Sequence, residues 1–207
     1  GDASAGGESV SWHRRLRRVA PAFVPPSLML GVTHYITTHI ASVPLLWVLP
    51  LAVYLLTFIF VFARNPVYLA PWFRTLIPMT VMIVLGMSVS SAPMSLLIAL
   101  HLGMFFLIAM FFHGELAKDR PPASGLTDFF IWMSVGGALG GLFNALVAPA
   151  LFDRPLEYTG MLVVAVATIA PNPERIENEF NPTWMVPTAL VPLGLFYLWM
   201  LDFWSLE

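Results

Sequence analysis

Four histidines stand in or beside the apolar part of this sequence, His34, His39, His101 and His113, and imidazole is the side chain most versatile as ligand, donor and acceptor. Neutral imidazole can ligate haem iron or a chlorophyll-type magnesium, and ionisable groups at membrane depth are commonly functional. A helix pair holding two haems wants histidines about a dozen residues apart on both helices. His101 and His113 have that separation, but His34 and His39 are only five apart, so the match fails. The expected cofactor set is therefore none, with a haem or pigment as the alternative. The histidines are read as hydrogen-bonded structural or interfacial groups.

Other chemistries fail on residue type. A retinal Schiff base needs a lysine inside a bundle, and the only lysine is Lys118, in a polar segment. Ser88, Ser95 and Ser134 are available as nucleophiles, but no spacing pairs one of them with a histidine. The absence of cysteine removes thiolate metal sites and disulfides. The run 113–121 sets His113, Glu115, Lys118, Asp119 and Arg120 close together. Its cations suit the negative end of a helix dipole, so it reads as a solvated turn anchoring a helix end. Asp128 suits a helix N-terminus, and Asp202 lies close enough to a helix end to reach water.

These residues need elements to position them, and the composition says which kind. Charged residues make up 11% of the chain and apolar ones 58%, against roughly 25% charge in a soluble domain. Stretches 19–63, 75–114, 129–152, 158–173 and 180–201 contain no Asp, Glu, Lys or Arg. Since about 20 apolar residues span a bilayer, the first two hold a helix pair each and the others one each. The expected fold is all-α, a polytopic transmembrane bundle of about seven helices. Its expected spans are 22–40, 43–62, 75–89, 93–112, 128–151, 156–170 and 183–203. Residues 1–21 form a polar, basic N-terminal segment, and 22–204 form the bundle. About 60 residues remain outside the apolar stretches, too few for a soluble catalytic domain. A net charge of -2 argues against a nucleic-acid partner.

Orientation follows from the basic residues. Arg14, Arg15, Arg17 and Arg18 precede the first span, which places the N-terminus in the cytoplasm. Alternating from there puts Arg64, Arg74, Lys118, Arg120 and Arg175 on the same side, with only Arg154 outside. This segregation supports seven spans, with the C-terminus outside. Tyr68 and Trp72 are interfacial candidates.

Within the spans, Ser27, Gly31, His34, Thr37, Thr38 and Ala41 recur at helical spacing, a weakly apolar stripe expected to face protein. Ser42, Val43 and Pro44 read as a cap and first turn for span two, and Pro50 predicts a kink within it. Pro187 and Pro192 predict distortion of span seven. Gly136, Gly137, Gly140 and Gly141 form two interleaved pairs at four-residue spacing, the pattern that lets helix backbones approach closely in lipid. Asn144, one turn further, is expected to hydrogen-bond across the same interface.

Three strings carry a family likeness: AFVPPSLMLGVTHYITTHIASVPLLWVLPLAVYLLTFIFVF (22–62), HGELAKDRP (113–121) and WMSVGGALGGLFNALVAP (132–149). Together they resemble the membrane part of bacterial fused spermidine-synthase-like proteins. The resemblance covers most of residues 14–152 and implies a membrane module that, in full-length members, follows further helices and precedes a domain resembling a polyamine aminopropyltransferase. The glycine-rich loop and amine-binding acids of that chemistry do not occur in this sequence. His113 and Glu115 match the family pattern. His39 stands where the family usually carries an acid, which argues against a cation or proton site there.

The expectation is a membrane protein without its own catalytic site, a scaffold or accessory subunit whose partners are the bilayer and other membrane subunits. The alternatives are a transporter-like module for a small amine or other solute, and a haem- or pigment-binding electron-transfer subunit. No transmembrane Asp, Glu, Lys or Arg marks an ion path, which favours the scaffold.

Overall fold

Apolar runs punctuated by proline and polar turns fold here into helices alone, and the computed structural model describes residues 12–68, 73–88, 92–151 and 156–169. Helix α1 is Trp12–Tyr35, closing in a π-helical turn Ile36–Ile40 where Ala41 N–H reaches Ile36 O at 2.9 Å. Helix α2 is Val48–Phe62, α3 is Phe73–Ser88, and α4 is Met94–Lys118. Helix α5 starts at Leu126–Leu142 and runs on through a π-helical stretch Phe143–Val147 into Ala148–Leu151. Helix α6 is Leu156–Ile169. No strand occurs among the described residues. Three segments are long and apolar enough to cross a membrane: Val19–Ile40, Met94–Lys118 and Ala123–Ala150. The expected span 183–203 lies outside the described residues.

The helix starts correct two expectations. Ser42 does not cap α2; its hydroxyl turns back to Thr37 O at 3.4 Å, and a turn through Leu45, with φ 66, delays the helix to Val48. Pro50 therefore sits in the first turn of α2, where its missing N–H has no intrahelical acceptor to lose, and is no interior kink. At the other end of the hairpin, α4 does not stop at residue 112. It continues to Lys118, because His113 and Leu116 are buried against neighbouring helices while Glu115 and Lys118 pair on the outside at 2.9 Å. Residues 113–118 of the polar run are thus the end of a helix, and 119–121 follow it as a turn.

Helix α1 stands at the centre, packed against α2, α4, α5 and α6, and α4 in turn contacts α2 and α3. The core joins Leu28, Val32 and Ile36 of α1 with Ile77 and Val84 of α3, Phe105 and Ile108 of α4, and Leu162 and Ala165 of α6. Relative directions follow from which ends meet. Ala22 lies against Gly136 and Ser27 against Gly140, so α1 and α5 run parallel. Tyr35 near the end of α1 meets His101 near the start of α4 and Tyr158 at the start of α6, so those helices run opposite to α1.

Candidate functional site

Three constellations hold the polar groups of the bundle. The first is the seam between α1 and α5, where the four glycines divide. A Cβ on Gly136 would lie 2.6 Å from Ala22 Cβ and 2.8 Å from Val19 O. One on Gly140 would lie 2.6 Å from Phe23 O and 3.2 Å from Ser27 N. Both positions thus lie against backbone, the geometry in which small residues support close helix packing and weak Cα–H···O contacts. Gly137 and Gly141 do not share in this seam; a Cβ on either meets nothing within 4 Å among the described residues. Of the four glycines expected to pack, Gly136 and Gly140 are therefore the two that meet α1. One turn on, Asn144 Nδ2 donates to Ser27 Oγ at 2.6 Å and to Gly140 O at 3.1 Å, and Phe23 meets Phe143 edge-on at 5.8 Å.

The second constellation gathers at the end of the bundle where α1 finishes. His101 is fully buried, with Nδ1 2.8 Å from Leu97 O, which only accepts, so the hydrogen is assigned to Nδ1. Tyr35 stacks on the ring at 4.8 Å between centroids, and Tyr158 lies tilted at 5.9 Å. Nε2 faces Ser88 Oγ at 3.4 Å, a pairing between α3 and α4 that no sequence spacing singled out. Ser88 donates to Val84 O at 2.8 Å, so its one hydrogen is already committed within its own helix. With the hydrogens so assigned neither group has one to give the other, so the pair is a close polar approach of α3 and α4 and not the nucleophile–base bond of an acyl-transfer dyad.

The third lies near the far end of α4. Thr57 donates to Tyr54 O at 2.8 Å, so its oxygen is free to accept from His113 Nδ1 at 3.1 Å. Tyr54 and Phe58 present edges to the imidazole at 5.2 and 5.4 Å, enclosing it. Just beyond, Lys118 sits 5.9 Å over the Tyr68 ring while it pairs with Glu115.

The expected polar stripe of α1 splits. Ser27 is buried on Asn144, Gly31 lies against Tyr158 and Ala41 is buried, but His34, Thr38 and His39 are exposed. The stripe was expected to face protein along its whole length; His34 already turns outward before the π turn at 36–40, and Thr38 and His39 turn outward within it. His39 keeps one ring contact, with Tyr35 at 5.2 Å. Ligation uses a ring nitrogen in the imidazole plane, and Nδ1 of His101 and Nδ1 of His113 are engaged by Leu97 O and Thr57 Oγ1. Among the described residues no three His, Asp or Glu side chains converge on a metal-sized site.

The described fold and these constellations define an all-helical protein with long apolar helices and internally paired polar groups. Beyond that class, comparison with known proteins gives no match to a family model, a curated protein or a solved structure.

Proposed function

We propose that this chain is a multi-pass helical module of the bacterial inner membrane that acts as a scaffold or accessory subunit, resembling the membrane part of fused spermidine-synthase-like proteins. In this reading seven helices cross the bilayer, the N-terminus is cytoplasmic and the chain has no catalytic site of its own. The observation that carries it is how the buried polar groups are spent. Asn144 binds Ser27 and His113 binds Thr57, so the polar bonds fasten α5 to α1 and α4 to α2. Polar groups used this way serve to hold helices in register. The alternating helix directions also agree with charge segregation across the loops.

Mild detergent extraction from native membranes, followed by mass spectrometry of co-migrating proteins and an absorption spectrum of the same sample, tests this. A stoichiometric membrane partner and a colourless sample are expected. A visible band lost in His34→Ala would favour a pigment-binding subunit instead. A second reading, transport of a small amine or other solute, draws on the π-helical interruptions at 36–40 and 143–147, since interrupted helices commonly line solute sites. Under it the protein purifies alone and catalyses solute uptake in proteoliposomes.

A further inference from the structure

Helix α5 is much the least covered of the three long apolar segments: 11% of its apolar window is buried, against 44% and 39% in α1 and α4. Its inner glycines are occupied by α1. Its outer side repeats the same spacing in Gly137, Gly141 and Ala145, open to the surroundings, and beside it Thr127, Phe130, Ile131, Ser134, Val135 and Ala138 line an apolar groove. Lipid tails suit Ile131 or Leu146, which stand out at 56% and 65% exposure. A ridge bare of side chains gains far more from another helix, whose backbone can approach it.

We propose that the outer face of α5 is the docking surface for the stretch 180–201 of this same chain, crossing with Gly194 beside Gly137. The proposal rests on the reading of 180–201 as a membrane span. Three features favour this occupant. The stretch is free of charge and long enough to cross a bilayer. Helix α5 runs parallel to α1 and α6 opposite to it, so α6 returns toward the end of the bundle where α5 begins. Under the span reading the stretch that follows starts beside the start of α5 and runs parallel to it, as α1 does. Finally, Gly194 lies as many residues beyond Thr183 as Gly137 lies beyond Leu126, about 16 Å at the helical rise. It is also the one glycine after Gly160.

The absence of cysteine makes the test direct. In the full chain in membranes, Ala138→Cys is combined in turn with Leu193→Cys and Leu195→Cys and oxidised. One of the pairs is expected to form an intramolecular disulfide, and adding Gly141→Leu is expected to reduce its yield several-fold. Separately, Asn181→Cys and Leu206→Cys are probed with a membrane-impermeant maleimide. If these two react from opposite sides but the pairs do not link within one chain, the docking is overturned while the span stands. Ala138→Cys copies linking to each other would then assign the face to a second copy, and reaction with a lipid-soluble maleimide would assign it to lipid. If the two react from the same side, the span reading fails and the docking with it.

Discussion

A single methyl group probes the seam between α5 and α1. Gly140→Ala drives a Cβ into Phe23 O, a backbone atom that can move only with α1, so a loss of about 1–3 kcal/mol is expected. Gly103→Ala, on α4, meets nothing within 4 Å among the described residues and is expected to cost nothing. Reversible unfolding in mixed micelles measures both, and equal effects would mean that α5 does not lie on α1 through Gly140. The polar bond beside Gly140 is a smaller matter. A double-mutant cycle of Ser27→Ala and Asn144→Ala should give a coupling of about 0.6 kcal/mol, the usual scale for such bonds in membrane bundles. A coupling near zero would show that Asn144 is satisfied by Gly140 O alone. The sequence disclosed the glycine spacing and the polar residue, because both are periodic features of one helix. It did not disclose which pair packs, since that depends on where α1 stands.

At the scale of helices, His113 shows how a local reading stops short. Its neighbours Glu115, Lys118 and Asp119 marked the end of an apolar run, so the segment read as a turn; tertiary contacts from α2 keep it helical. Thr57→Val tests that contact by leaving the buried His113 Nδ1–H without its acceptor, at a cost of about 1–3 kcal/mol. Amide hydrogen exchange should then rise in α2 more than in α1 or α5, because the other seams are untouched. Thr168→Val is the control, an exposed threonine bonded only to Val164 O in its own helix, and is expected to change nothing measurable. Helix existence was legible from charge-free length and hydropathy, and α3, α5 and α6 lie within a few residues of expectation. What was not legible was every feature set by a partner: the late start of α2, the continued end of α4, and the Ser88–His101 approach across the hairpin.

For the whole molecule, the contacts fix which loops share an end before any membrane is invoked. Ser42 follows α1 at the end where Tyr35 meets His101, whereas Asp119 follows α4 at the opposite end, beside Lys118 and Arg120. Arg64, just past α2, belongs to that second end too, since Tyr68 lies against Lys118. The described helices thus gather basic residues at one end, and the positive-inside rule turns this polarity into an orientation. The expected outcome is that an impermeant maleimide added to intact cells labels Ser42→Cys and spares Asp119→Cys, with both reacting once the membrane is opened. The reverse pattern would invert the protein while keeping its architecture. Reaction of both from one side would overturn the proposed multi-pass arrangement, in which α2, α3 and α4 each cross between those two positions.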